Sequence, residues 1–562
     1  MPHTLPWSDL GPSRIILPTV KPVQTETDLL DHHGQPHFVI ASPIAPAYLD
    51  LAYALQEEIH GAVSGAVRVL APEALTAERR RGLNVIALGS IANNSLLFEL
   101  YHSYYVAVDH AYPGPGGHVL QTVYDLWGDG TNLITCGGSD LDGVRRAVER
   151  AIASLRREGQ RVFFPRLHDV CISASFMARY PTVSFECTSE HRRELVELAY
   201  QRIKQGEHRR ATPIVSHAGL MYHLTGDDRF ALAYRDAFKV LYHSAVNDPG
   251  TGPWSPWGFD ADFQSAPMLG AWDVVEECPL LTEEDRLYIT NHLLWYVQYM
   301  YEHARTHKPT RPAPRHNHYT FAALGLLLGA KYFDKYYKLP EAAQWLEEAD
   351  DCFRVQMRAF KANEDCNSYQ WLTFYHTLKY ALIRPDHTFI ENGMARLCLD
   401  LGIATMDNLG YQVPYGDVRE WTGTFSEVPY YKAAAAVLRD PTYGVVLRRK
   451  EQIRPRYGPG KASGAFPPHG IMPVGYEYDV DIGEGRPLRR YFHVSALPVE
   501  PLYFQAFDGP KHIDYGKSFD KIVFRHSLEP ESDYLLLDGL SNGGHLHYDG
   551  NAIVRYTSKE RI

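Results

Sequence analysis

Hydrophobic and polar positions follow three successive patterns along the chain, and the first alternates short apolar runs with amphipathic stretches. Between residues 36 and 165, the apolar runs predict buried strands at 37–41, 84–88, 117–124 and 132–136. The amphipathic stretches predict helices at 47–59, 94–100 and 142–155. Strands that are apolar throughout are typical of a sheet covered on both faces. The pattern therefore predicts a small α/β domain in the N-terminal part of the chain.

The second pattern, from about residue 188 to residue 440, consists of apolar residues at helical spacing. It predicts about ten helices, at 190–205, 213–224, 228–245, 266–278, 282–304, 319–333, 340–360, 369–383, 388–401 and 428–438. Short and long connections alternate between these helices. This alternation is typical of helical hairpins wound into a ring or a solenoid.

The third pattern begins after about residue 445 and predicts antiparallel strands at 488–497, 521–525, 534–538 and 551–557. So few strands would leave the sheets of a β-sandwich unpaired. We therefore expect an incomplete β-sandwich, in a chain that is a fragment or that a partner completes. The expected fold is multidomain α+β, with an α/β domain at 1–170, a helical domain at 171–445 and the start of a β-sandwich at 446–562.

The overall composition is that of a globular protein, with 22% charged and 45% hydrophobic residues. A net charge of −11 argues against nucleic-acid binding, which needs an extended basic surface. The sequence contains neither a signal-peptide pattern at its start nor the roughly 18 consecutive apolar residues of a membrane span. We expect a cytoplasmic protein that binds neither nucleic acid nor membrane. Its seven dispersed cysteines are expected to be reduced, and a homodimer is a compatible assembly.

A basic loop precedes one of the predicted helices. From His303 to His318 there is no acidic residue, whereas there are three arginines, one lysine and four histidines. The loop ends in Arg315-His-Asn317-His318, where the helix N-terminus adds unpaired N–H groups and a partial positive charge. This combination suits a carboxylate or a developing carbanion. The alternative is that Asn317 only caps the helix.

A glycine-rich turn, Cys136-Gly-Gly-Ser-Asp-Leu-Asp-Gly143, lies between a predicted strand and a predicted helix. It has neither of the common glycine spacings for nucleotide phosphates, GxGxxG and GxxxxGK[ST]. We therefore expect Ser139 or Asp140 to cap the helix, rather than a phosphate to bind there.

Two long connections, at 248–260 and 408–421, are rich in aromatic residues. Long ordered loops in compact domains are usually functional, and flat amphipathic rings stack on the faces of sugars. The predicted stacking residues are Trp254, Trp257, Tyr411, Tyr415 and Trp421. The alternative is that these rings serve only as structural packing at the mouth of the helical domain.

Near the end of the chain, two glycines precede His545-Leu-His547-Tyr-Asp549. Alternate side chains of a strand share one face, so a strand here would bring His545, His547 and Asp549 together. Imidazole and carboxylate groups bind divalent metals, zinc in particular. The pattern predicts a structural metal site. The alternative is a polar sheet face whose histidines bond to their neighbours.

Three separate motifs carry a resemblance to a known family. They are Asn317-His-Tyr-Thr-Phe at a helix start, Glu364-Asp-Cys-Asn-Ser-Tyr369-Gln-Trp some fifty residues later, and Gly-Gly-His545-Leu-His-Tyr-Asp549 after the helices. In order and spacing they resemble the heparinase II/III-like polysaccharide lyases, which include the oligoalginate lyases of polysaccharide lyase families 15 and 17. The likeness covers about residues 190–562.

This resemblance implies an (α/α) toroid followed by an antiparallel β-sandwich that binds a metal, usually zinc, and no organic cofactor. It places the family's Asn–His pair on Asn317 and His318, and its toroid tyrosine on Tyr369, with Tyr375 as a competing position. It places the metal ligands on His545, His547 and Asp549. The sequence departs from the family in the missing sandwich strands, from which relatives supply further ligands.

The implied activity is β-elimination next to a uronic acid in an acidic oligosaccharide or polysaccharide. Arg315 and Asn317 are expected to neutralise the uronate carboxylate. His318 is expected to remove the C5 proton while Tyr369 protonates the leaving oxygen, or Tyr369 performs both steps. One alternative is a toroidal glycoside hydrolase with two carboxylates from Asp260, Asp262, Asp417 and Glu420. Another is a non-catalytic glycan-binding protein.

Overall fold

The computed structural model describes residues 15–60, 67–247 without 179 and 182, 265–306, 312–418, 427–449 without 439, 441, 442, 445 and 448, 492–502, 514–539, 545 and 550–562. These residues form two compact units. The first unit contains the described residues up to Met300 together with 325–345. The second contains 301–324 and the described residues from 346 onwards.

The first unit begins with two small sheets, whose strands alternate with short helices. The strands are β1 (Glu26–Asp28), β2 (Phe38–Ala41), β3 (Arg68–Leu70), β4 (Asn84–Gly89), β5 (His118–Val123), β6 (Leu133–Gly137), β7 (Arg156–Glu158), β8 (Arg161–Pro165) and β9 (His168–Cys171). Six of them form a sheet in the order β3-β2-β4-β6-β5-β9. The pairs among β3, β2, β4 and β6 are parallel, whereas β5 pairs antiparallel with β6 and β9. β1, β8 and β7 form a second, antiparallel sheet.

The helices of this α/β region are α1 (Pro46–His60), α2 (Ala77–Arg80), α3 (Ser95–Tyr101), α4 (Leu141–Ser154) and α5 (Ala174–Met177). Apolar residues of α1 and α4 pack with those of β2, β4 and β6 in one buried core. The Asp140 carboxylate caps α4 by accepting a hydrogen bond from the Gly143 N–H at 2.8 Å. This contact confirms the predicted cap and places a carboxylate where a phosphate would have to bind.

Helices dominate the middle of the chain. They are α6 (Ser189–Lys204), α7 (His208–Thr225), α8 (Asp228–Asn247), α9 (Ser265–Val275), α10 (Glu283–Thr306), α11 (Asn317–Tyr337), α12 (Glu341–Gln356), α13 (Tyr369–Ile383), α14 (Thr388–Glu391), α15 (Met394–Ala404) and α16 (Val428–Leu438). The single helix predicted at 388–401 is wrong, because the chain breaks between α14 and α15. Gly393 has a φ of +83° at this break, in the left-handed region that favours glycine.

The second unit contains a four-stranded antiparallel sheet of β10 (His493–Pro498), β11 (Phe519–Arg525), β12 (Tyr534–Asp538) and β13 (Ile553–Thr557), in that order. On one face Val523, Tyr534 and Leu536 pack against residues around Ala404 and Val413. On the opposite face the side chains of Val494, Phe524 and Ile553 are exposed. Within the described residues the predicted β-sandwich is therefore represented by one sheet.

The predicted fold class, multidomain α+β with sheets towards both ends and helices between them, is confirmed. The predicted domain boundaries stay a prediction. Among the helices of the described segments, none is both long enough and apolar enough to cross a bilayer.

Candidate active site

The candidate site lies in the second unit, where Asn317 begins α11. Asn317 is fully buried. Its backbone N–H donates a hydrogen bond to Glu364 Oε1 at 3.2 Å, and its side-chain Nδ2 donates to the same oxygen. The first N–H groups of a helix have no partner within the helix, so a carboxylate at this position is favourable. Glu364 thus joins the start of α11 to the loop that precedes α13.

Glu364 is itself fully buried, and its second oxygen, Oε2, lies 3.4 Å from the Thr373 hydroxyl. Burial raises the pKa of Glu364 to about 7, although the hydrogen bonds from Asn317 and the charge of nearby His318 oppose this rise. The sequence motif contained Glu364, but no function was predicted for it. Its importance depends on a contact between residues 47 positions apart, which no local pattern reveals.

Tyr369 is the first residue of α13, and its ring stacks on the ring of His545 with the centroids 4.0 Å apart. Thr373, which contacts Glu364, lies one helical turn further along α13, about 6 Å along the axis. Asn317 and Tyr369 are therefore joined through Glu364 and Thr373. The structure brings both predicted residues to the starts of two neighbouring helices.

His545 is held by Asp417 from the long connection after α15. The Asp417 N–H donates to the His545 carbonyl oxygen at 2.8 Å, and Asp417 Oδ2 lies 3.3 Å from His545 Nδ1. A carboxylate at Nδ1 fixes the imidazole and leaves Nε2 for a proton or a metal ion. His545 lies in a turn with a φ of +55°, so the strand predicted for this residue is wrong.

His318 and Arg315 flank Asn317. His318 is half-buried, with its ring centroid 5.7 Å from that of His316. Arg315 is buried, its N–H donates to Gln356 Oε1 at 3.2 Å, and its guanidinium Nη2 lies 3.9 Å from an oxygen of Asp351 on α12. The guanidinium Nη1 has no hydrogen-bond partner among the described residues.

Tyr415, a predicted stacking residue, and Tyr375, the position that competes with Tyr369, are both buried. The Tyr415 hydroxyl accepts a hydrogen bond from Gln370 Nε2 at 2.7 Å, and the Lys521 ammonium lies 4.5 Å from the Tyr415 ring centroid. Tyr415 therefore fits the packing alternative. Tyr375 has the Lys379 ammonium 5.6 Å from its ring centroid. Because Tyr369 is only half-buried, it is the more accessible of the two competing tyrosines of α13.

A buried cluster of charges lies beside the loop that carries Glu364; it consists of Lys361, Asp365, Asp520, Lys521 and Asp538. The Lys521 ammonium lies 2.9 Å from Asp365, 2.7 Å from Asp520 and 2.7 Å from Asp538. Lys361 pairs with Asp365 at 3.0 Å and with Asp520. The cluster attaches the loop before α13 to β11 and β12.

Tyr411, another predicted stacking residue, is half-buried. The remaining predicted residues lie outside the described part of the chain; they are Trp254, Trp257, Asp260, Asp262, Glu420, Trp421, His547 and Asp549. Of the three predicted metal ligands, only His545 is described. No group of three histidine, cysteine, aspartate or glutamate side chains suited to a metal ion occurs among the described residues. The described residues alone therefore do not make up a metal site, and the zinc site stays a prediction.

No protein-family model matches this chain, and neither does any curated protein. Among solved structures, a heparinase III gene product is 11% identical with a TM-score of 0.39, and the match covers 66% of this chain and 56% of the other. A heparinase III structure is 11% identical with a TM-score of 0.37, covering 63% and 49%. The heparan sulfate lyase HepC from Pedobacter heparinus is 12% identical with a TM-score of 0.35, covering 69% and 58%. This chain thus spans about half the length of these structures, and TM-scores below 0.5 assign no family.

Proposed function

We propose that this protein is a lyase that cleaves glycans containing uronic acids by β-elimination. The observation that carries the proposal is the arrangement of Asn317 and Tyr369, which Glu364 and Thr373 join at two helix starts, with His545 stacked on Tyr369. This arrangement combines hydrogen-bond donors for a carboxylate with groups that transfer protons. Elimination next to a uronate requires both.

The donors address the first difficulty of the reaction, which is the weak acidity of the C5 hydrogen. The neighbouring carboxylate already carries a negative charge, so it accepts more electron density only when donors neutralise it. The Asn317 amide and the N-terminus of α11 supply such donors. Because Asn317 is buried, the carboxylate reaches the amide only by displacing what covers it.

The proton-transfer groups address the second difficulty. In the proposed reaction His318 removes the C5 proton, the electron pair forms the C4–C5 double bond, and the C4–O bond breaks. Tyr369 then gives its proton to the departing oxygen. On the other stereochemical course, an ionised Tyr369 removes the C5 proton and returns it to the departing oxygen. His545 places a second imidazole against the Tyr369 ring.

The test is a screen of oligosaccharides from alginate, heparinoids, hyaluronan, ulvan and gellan, in which ultraviolet absorbance and reducing ends are measured together. A lyase produces one unsaturated, absorbing uronate for each new reducing end. New reducing ends without absorbance would show hydrolysis and overturn the proposal. Binding without any product over long incubation would show a non-catalytic glycan-binding protein.

A further inference from the structure

The side-chain oxygen of Asn317, Oδ1, is buried and has no hydrogen-bond partner among the described residues. The amide nitrogen, Nδ2, is directed at Glu364 Oε1 instead. Buried polar atoms are almost always paired, so an unpaired one marks a place where a ligand or water completes the structure. An oxygen acceptor is the wrong group for an anionic ligand, which needs donors.

Glu364, the partner of Asn317, determines whether the oxygen or the nitrogen of the Asn317 amide faces the ligand. The oxygen and nitrogen of an asparagine amide have nearly the same shape, so the group fits either way round. An ionised Glu364 only accepts hydrogen bonds, so it holds Nδ2 and turns Oδ1 away. A protonated Glu364 donates through its O–H, so it holds Oδ1 and turns the two N–H donors of Nδ2 outward.

We propose that Glu364 is a positioning residue, which takes up one proton from solvent when a uronate binds and thereby turns the N–H groups of Asn317 towards the substrate carboxylate. This inference rests on the proposed function, because it takes the ligand to be a uronate. The Asn317 backbone N–H, which contacts the same oxygen as the side-chain amide, keeps its hydrogen bond in both states, since the oxygen of a carboxyl O–H also accepts. Only the side-chain amide changes its orientation.

The surroundings of Glu364 make this proton available near neutral pH. Burial raises the pKa of Glu364 to about 7, against the opposing effects of the Asn317 donors and of His318. His318 is the titratable group that faces Glu364 from α11, and Cys366 interacts with it from its own loop. From α13 it meets the uncharged Thr373. A bound carboxylate adds a negative charge and so favours the protonated form further.

The simpler alternative is that Glu364 stays ionised and serves only as a cap for α11. The two alternatives differ in the variant Glu364→Gln. The glutamine side chain keeps the shape of glutamate but carries no charge and takes up no proton, so it removes from KM any pH dependence that Glu364 confers. If Glu364 is only a cap, this variant loses the charge that the helix start favours, and its KM follows the same pH profile as that of the unaltered protein.

The first experiment measures KM and kcat against pH from 6 to 9 with the oligosaccharide that the screen identifies. We expect the KM of the unaltered protein to rise about tenfold per pH unit above roughly pH 7, with a smaller change in kcat. The KM of Glu364→Gln should stay constant over this range. A KM for this variant that rises with pH as in the unaltered protein overturns the inference, and so does a KM of the unaltered protein that stays constant above pH 7.

Glu500→Gln is the matched control. Glu500 is also a buried glutamate of the second unit, and it accepts hydrogen bonds from the N–H groups of Phe360 and Leu502. Its replacement should leave the pH dependence of KM intact. A flat profile in this variant as well would trace the effect to the loss of any buried carboxylate and overturn the inference.

The second experiment needs no turnover. Calorimetric titration with the oligosaccharide that the screen identifies, or with an alginate tetrasaccharide if it identifies none, is carried out in two buffers of different ionisation enthalpy and gives the number of protons taken up on binding. At pH 8 we expect close to one proton for the unaltered protein and none for Glu364→Gln. Binding with proton uptake but without product would refute the proposed function alone. Binding without proton uptake refutes this inference alone, and absence of binding to every uronate in the screen refutes both.

Discussion

The rings of Tyr369 and His545 stack with their centroids 4.0 Å apart and their planes inclined by 19°. The contact joins the first residue of α13 to a turn that lies 176 positions later in the chain. The Asp417 carboxylate contacts the same imidazole at Nδ1. The Tyr369 ring is therefore held in place by packing, so its hydroxyl can be removed with little change to the surrounding structure.

The variant Tyr369→Phe keeps this stacked ring and removes the hydroxyl. We expect kcat to fall by roughly 10² to 10⁴, because the proposed reaction loses its proton donor. KM and the melting temperature should change little. Initial rates from ultraviolet absorbance and thermal unfolding curves provide the measurements. Tyr556→Phe, which removes the hydroxyl of an exposed tyrosine in β13, should retain full activity; retained turnover in Tyr369→Phe would exclude Tyr369 from the reaction.

Most helices and strands were predictable because their signal is local. Apolar spacing alone located β4, β6 and α13 to within a residue or two. β7 was missed because its three residues, Arg156–Glu158, are all exposed and charged, and only pairing with β8 makes them a strand. The break before α15 has a local signal in the sequence, the pair Asn392-Gly393. In the prediction, the helical spacing of the surrounding apolar residues outweighed this signal.

The candidate site was predictable only where a motif places a residue at the start of a helix. The positions of Asn317 and Tyr369 at helix starts were predicted in this way, whereas their roles in a reaction stay a prediction. The contacts of Glu364 with Asn317 and of His545 with Tyr369 span long stretches of chain, and neither leaves a periodic pattern. The burial of Tyr415 could not be predicted from the sequence either, because aromatic residues of a loop can cover a core or bind a sugar.

Acid should destabilise the first unit through the buried His223 and the half-buried His168. Burial lowers the pKa of His223 to about 4 and that of His168, whose Nε2 lies 3.2 Å from the His223 carbonyl oxygen, to about 3. Histidines of the unfolded chain have pKa values near 6.5. Below this pH, the unfolded chain therefore binds protons that the folded chain does not bind. The free energy of unfolding is therefore highest above about pH 6.5 and falls by about 2 kcal/mol per histidine at pH 5.

Urea unfolding at pH 7.5 and pH 5 measures this loss. The variant His223→Gln should unfold with a smaller difference between the two pH values, because glutamine keeps a polar side chain next to Gln121 but binds no proton. His387→Gln replaces an exposed histidine and should leave the difference unchanged. An unaltered difference in His223→Gln would trace the acid sensitivity to other groups.

The metal prediction is testable without reference to the reaction. We propose that His545, His547 and Asp549 bind one zinc ion, and the Asp417 carboxylate beside His545 Nδ1 is the kind of partner that orients a ligating imidazole. Elemental analysis should find about one zinc per chain in the unaltered protein and much less in His547→Ala. His547 is chosen because His545 also contacts Tyr369. Chelation should lower the melting temperature more than the initial rate, and an effect on neither would refute the site.

The buried charge cluster beside the Glu364 loop should tolerate the loss of a pair of charges better than the loss of one. Lys521→Met leaves Asp365, Asp520 and Asp538 with a single ammonium group, which should cost about 3–5 kcal/mol of unfolding free energy. Adding Asp538→Asn restores the original excess of one negative charge, so most of this loss should be recovered. Lys517→Met, at a lysine whose side chain is 85% exposed, should change stability by less than about 0.5 kcal/mol. Denaturant unfolding of the four proteins measures these differences. Equal losses in the single and double variants would show that Lys521 stabilises this unit by packing and not by charge.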